Sequence, residues 1–149
     1  MHKFANPTRF VQLADKCLPW FTSLTLILLV YGLVQALFIS PPDYQQGESV
    51  RIMYVHVPSA WMSMMIYSIM AAASAAFLIW RHPLADIAAR ASAPLGAGFT
   101  LITLITGSFW GKPMWGTWWE WDGRLTSVLV LFFIYIAYIA LGDSYAGVE

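Results

Sequence analysis

IMYVHVPSAWMSMMIYSIMAAASAAFLIW, residues 52–80, contains no Asp, Glu, Lys or Arg. So long an uncharged run exceeds the ~20 residues that a helix needs to cross the hydrocarbon layer of a bilayer. A run of this length without charge reads as a membrane helix. Proline suits the first turn of a helix, and Pro58 is therefore expected to trim the run. The expected helix is 58–80, with His56 just outside its start at headgroup depth.

Three more uncharged runs flank this one, at residues 17–42, 91–111 and 125–142. The 149-residue chain is 59% hydrophobic and only 11% charged, which is too apolar for a soluble domain and too short for several domains. The fold class expected is an all-α membrane protein: a polytopic helical bundle of four transmembrane helices, forming one domain over 1–149. The first run is longer than the core of a signal peptide and reads as a helix that stays in place. Eight basic and eight acidic residues balance, so no electrostatic footprint suggests nucleic acid. The single cysteine, Cys17, cannot form an internal disulfide, and no C-x-x-C-H motif attaches c-type heme.

Lys3, Arg9, Lys16, Arg81 and Arg90 fall on one side of a four-crossing chain, against Arg51, Lys112 and Arg124 on the other. The positive-inside bias places both chain ends in the cytoplasm and the loop before 58–80 outside. The loop between the third and fourth runs is outside as well. Small residues at 71–76, Gly96 and Gly98 predict close helix approach.

That outer loop is W-G-K-P-M-W-G-T-W-W-E-W-D-G-R-L-T, residues 110–126, which holds five of the eight tryptophans. Pro113 is expected to make the part from Met114 onward a separate interfacial helix between helices three and four. At about 100° per residue, Trp115, Trp118, Trp119, Asp122 and Thr126 would then share one face, and Thr117, Glu120 and Arg124 the other. Glu120 and Arg124 stand at i, i+4 in the favourable order. One reading of the cluster is an interfacial aromatic belt. The other is a shelf for a flat aromatic ligand, which five tryptophans interleaved with Gly111, Gly116 and Gly123 favour.

His56 by itself reads as an interfacial histidine. It is also the one histidine on the predicted side of the Trp shelf, and imidazole is a usual axial ligand of heme iron. Arg51, Lys112 and Arg124 are the cations there, able to meet heme propionates or lipid phosphate. Asp122 and Glu120 at i, i+2 point apart on a helix, which argues against joint acid–base work. No nucleophile elbow, Walker loop or zinc-protease motif is present, and no enzymatic turnover is expected. Met53, Met62, Met64 and Met65 read as helix packing.

W-G-T-W-W-E-W-D-G-R-L-T-S, residues 115–127, resembles the tryptophan-rich signature of the heme-handling proteins of cytochrome c biogenesis. Its Arg124-Leu125-Thr126-Ser127 ending is similar to the heme exporter protein C (CcmC) branch, and Y-V-H-V-P-S-A-W, residues 54–61, resembles the start of that family's second helix. The resemblance implies a multi-pass protein of the bacterial inner membrane that holds heme b at its periplasmic face and passes it to the heme chaperone CcmE. The implied partners are the ABC-transporter subunits CcmA and CcmB and the small subunit CcmD. On this reading Trp115, Trp118, Trp119, Trp121 and Asp122 form the shelf, His56 is an axial ligand and Arg124 meets a propionate. The resemblance further implies two more helices and a loop with a second heme-ligating histidine, so the chain reads as the N-terminal portion of such a protein. Rival readings are a cytochrome c heme lyase, which the Arg-Leu-Thr-Ser ending counts against, and a structural transporter subunit whose Trp loop docks a partner.

Overall fold

Asn6 opens the first helix: its side-chain oxygen accepts from the amides of Thr8 at 3.0 Å and Arg9 at 3.3 Å. Pro7 fills the first helical position, where an N–H would have no helical partner. The computed structural model describes residues 6–146, so His2 and Lys3 lie outside the described residues. Helix α1, Pro7–Val34, continues into a π-helical turn, Gln35–Ile39. Ser40 closes it, its amide donating to the Gln35 carbonyl and its hydroxyl to the Ala36 carbonyl, each at 2.8 Å. These elements form one compact unit that ends at Pro41, and no described residue of α1 is buried within the chain.

The second unit starts at Pro42 and contains α2 (Val50–Trp80), α3 (Pro83–Trp115) and α4 (Gly123–Ala146). Arg81 takes a left-handed φ of 53° and donates its amide to the Phe77 carbonyl at 2.7 Å, ending α2. His82 is extended and Pro83 starts α3, so two residues reverse the chain and α2 packs extensively on α3. Helix α4 packs on α3 in turn.

One face of α3 presents Ala89, Ala93, Gly96, Ala97 and Thr100, all buried, toward Ile66 and Met70 of α2 and Tyr135 of α4. Small residues let the backbones come close enough for dispersion contacts to hold helices together in lipid. Tyr135 is 0% exposed, lies directly on Gly96, and donates its phenol to the Ser63 carbonyl at 2.8 Å. Gly98, by contrast, faces open space, so of the two glycines expected at contacts only Gly96 makes one. The buried hydroxyls of Ser59, Ser63, Thr100 and Thr103 each donate to a carbonyl in the preceding turn, which leaves no unpaired polar group among them.

Four helical stretches, Pro7–Ile39, Val50–Trp80, Pro83–Trp115 and Gly123–Ser144, are long and apolar enough to cross a membrane. Their limits correct the sequence expectations. Helix α2 begins at Val50 rather than at 58, so His56 and Pro58 are both inside it. An internal proline forfeits one backbone bond and bends a helix, a defect that packed membrane helices tolerate. Helix α3 extends past the uncharged run at both ends and through Pro113 to Trp115. The charged residues at these ends pair locally, Arg51 with Glu48 and Arg90 with Asp86, each at 2.9 Å.

The interfacial helix expected from Met114 onward is not formed. Gly116, with φ +79°, ends α3, and residues 117–122 run as bends and irregular backbone to the start of α4 at Gly123. Glycine adopts that left-handed conformation without a Cβ penalty, and it stops the helix where the i, i+4 pattern alone suggests continuation.

Candidate functional site

Helices α2, α3, the bend and the start of α4 line a half-open cavity of about 220 Å³. His56 and Ala60 line it from α2, Thr103, Leu104, Gly107, Trp110 and Trp115 from α3, Trp119 from the bend, and Arg124, Leu125 and Val128 from α4. Apolar and aromatic walls with a few polar groups are the usual lining of a small-molecule pocket.

His56 is held from three directions. Its Nδ1 lies 3.0 Å from the hydroxyl of Thr106 on α3. The ring of Trp110 stands 5.6 Å away, centroid to centroid, tilted by 56°. Gly107 sits beneath the imidazole, where a Cβ would come within 3.1 Å of Cε1. Trp110 is itself tied down, its indole N–H donating to Gln46 Oε1 at 3.0 Å. Gln46 belongs to a tight loop in which Asp43 accepts from the amides of Gln45 and Gln46, each at 2.9 Å. The Gln46 amide, then that of Gln45, hold the Asp43 carboxyl below the usual carboxylate range.

Gly111 gives Trp115 its place, since a Cβ there would come 3.1 Å from the indole. After Gly116 the bend is fixed by Lys112, whose ammonium donates to the Gly116 carbonyl at 2.8 Å, and by Thr117, whose hydroxyl donates to the Trp119 carbonyl at 3.0 Å. Trp119 is thereby turned inward, and its indole Nε1 is buried with no hydrogen-bond partner among the described residues. A buried donor left unpaired costs about 1–3 kcal/mol, so it marks a place where an acceptor from a ligand would be welcome.

Asp122 is the N-cap of α4. One carboxylate oxygen accepts from the amides of Arg124 at 3.0 Å and Leu125 at 2.8 Å, and the other holds the Arg124 guanidinium at 2.9 Å. The Leu125 amide first, and then Arg124, keep its carboxyl below the usual range. So fixed, the Arg124 guanidinium lies 5.5 Å over the Trp115 ring, a cation–π contact at the edge of the cavity.

Of the residues expected to share a site, His56, Trp115, Trp119 and Arg124 meet around one cavity. Trp118 does not line it: half exposed, it packs its edge on Phe109 and lies under Lys112. Trp121 is 77% exposed and meets the Trp119 ring edge-on, their centroids 5.5 Å apart. Asp122 acts on Arg124 instead of lining the cavity, and the expected Glu120–Arg124 pair is replaced by Asp122–Arg124. The reason is the bend, which destroys the helical register that would have put Trp118 beside Trp119. Sequence reasoning missed Trp110, Thr106 and Gly107, which sit on α3 one turn apart and face His56. Their i, i+1, i+4 spacing is a signal, but one that needs the α2–α3 register to be read. Among the described residues no group of three or more His, Cys, Asp or Glu could hold a metal ion.

The family model of heme exporter protein C matches residues 1–148. The chain belongs to the heme exporter protein C family. It is 58% identical over 137 residues to heme exporter protein C of Bradyrhizobium diazoefficiens, a match covering 92% of this chain and 52% of that protein. Against heme exporter protein C of Escherichia coli it is 48% identical over 145 residues, covering 97% of this chain and 59% of the relative. The Rhodobacter capsulatus protein of the same name is 48% identical over 142 residues, 95% of this chain and 59% of its own length. The chain thus spans between half and three fifths of the curated relatives it matches. With four helices able to cross a membrane, this heme exporter protein C family chain is a multi-pass membrane protein.

Proposed function

We propose that this chain supplies the heme-receiving part of a heme exporter protein C, binding heme b at the periplasmic face of the bacterial inner membrane and passing it to the chaperone CcmE. The observation that carries the reading is one cavity where an imidazole, three indoles and a guanidinium converge: His56, Trp110, Trp115, Trp119 and Arg124. His56 offers iron an imidazole, and Trp115 and Trp119 offer flat apolar walls. The unpartnered Trp119 N–H and the Arg124 guanidinium are donors suited to the carboxylates of a porphyrin. Trp121 and Asp122, outside the lining, support this wall rather than touch the ligand, since Trp121 meets Trp119 and Asp122 aims Arg124, whereas Trp118 lies apart on Phe109. The role is cargo handling rather than turnover, in company with CcmA, CcmB and CcmD. His56 is the one histidine in the cavity lining, so it supplies a single axial ligand there.

Membranes of the expressed chain should take up heme with a Soret band and a five-coordinate spectrum, and His56→Ala should remove the iron contact. A heme spectrum unchanged by His56→Ala, or a bis-histidine spectrum from this chain alone, would overturn the assignment.

A further inference from the structure

Thr106 Oγ1 lies 2.7 Å from the carbonyl of Ile102 and 3.3 Å from that of Thr103, and 3.0 Å from His56 Nδ1. The hydroxyl has one proton, and two oxygens at 2.7 Å repel unless that proton lies between them. The threonine therefore donates backward along its own helix and faces His56 with lone pairs. Only a protonated Nδ1 matches that acceptor, which makes Nε2 the bare, basic nitrogen of the neutral ring.

We propose that Thr106 is the positioning residue of this site: it selects the Nδ1–H tautomer of His56 and leaves Nε2 for iron. The proposal rests on the reading of His56 as an axial ligand. A solvated histidine prefers the opposite tautomer, with the proton on Nε2, so without Thr106 the ligating nitrogen would have to be freed at each binding event. A hydrogen bond to the far nitrogen also raises the basicity of the ligating one, as outer partners of metal-bound histidines do. Gly107 completes the device, since it leaves the imidazole room to lie against α3 at the height of the Thr106 hydroxyl.

The test uses the full chain in nanodiscs with His2→Gln and His82→Gln, so that His56 is the one remaining imidazole. Nitrogen-15 shifts of the ring without heme should report a protonated Nδ1 and a bare Nε2. Thr106→Val, which keeps the shape and removes the acceptor, should move the proton toward Nε2, lower heme affinity about 10- to 100-fold and shift the reduction potential of the bound heme. Thr106→Ser should restore all three. A wild-type ring protonated on Nε2 overturns the proposal, as does a Thr106→Val chain with unchanged tautomer and potential. These results are separable from the heme reading itself: if His56→Ala leaves heme binding intact, His56 is not the ligand and both fall. If His56→Ala abolishes the iron contact while Thr106→Val changes nothing, Thr106 alone falls.

Discussion

Trp110 donates its indole N–H to Gln46 Oε1 at 3.0 Å, joining residues 64 apart in sequence. Through this bond the loop before α2 braces the aromatic ring that leans on His56. Gln46→Leu leaves the half-buried indole nitrogen unpaired, at a cost of about 1 kcal/mol. Hydrogen exchange over residues 43–50 should rise, and heme retention should fall severalfold. Unchanged exchange would show that the bond does not brace the loop.

The cavity separates the tryptophans into two classes. Trp115→Ala and Trp119→Ala each remove a lining wall, on the order of 1 kcal/mol of aromatic contact, and should weaken heme retention about fivefold. Trp118→Ala should have the smaller effect, because its ring packs on Phe109 away from the cavity. Equal losses from all three, measured by heme titration, would return the cluster to a single shelf.

Thr117→Ala should matter, contrary to what a helical register predicts. Its hydroxyl bonds the Trp119 backbone and sets the bend that turns that indole inward. Heme titration should place Thr117→Ala near Trp119→Ala and Thr117→Ser near the wild type.

Asp122 gives the start of α4 a defined pH dependence. Its carboxyl in the folded chain lies below its ordinary 3.8, chiefly through the Leu125 amide. The cap is therefore fully present above that ordinary value and is lost as pH falls through the lower folded value. Protection of the Arg124 and Leu125 amides, taken relative to the intrinsic exchange rate at each pH, should hold at neutral pH and fall only in acid. In Asp122→Ala that protection should be absent throughout, while Asp122→Asn should keep the cap and release Arg124.

Gly96→Val drives a side chain into the Tyr135 ring and should destabilise the α3–α4 contact by about 1–3 kcal/mol. Gly98→Ala, facing open space, should be neutral or slightly stabilising. Unfolding midpoints in detergent discriminate the two, and similar midpoints would mean that Tyr135 has room to move.

Reporter fusions at Gly47 and Asp143 should report opposite compartments if all four apolar helices cross. The same compartment at both would remove one crossing.

What the sequence determined by itself is the set of helices that enter lipid. Uncharged runs such as residues 52–80 have one low-energy state in a bilayer, and the reason is additive along the chain: each apolar residue favours lipid and each amide needs a helical partner. Helix ends are less legible, because Arg51, Asp86 and Lys112 lie beyond the uncharged runs yet inside the helices, and the backbone bonds that extend a helix past its apolar run are indifferent to charge. Gly116 and Asp122 do carry stop and start signals that outweigh the spacing of the tryptophans, and read with that priority they predict the bend. The site itself was decided only by tertiary structure. Thr106, Gly107 and Trp110 reach His56 because the two-residue turn at Arg81–His82 sets the register of α2 against α3. A contact between residues 50 apart depends on that register, to which no local propensity speaks.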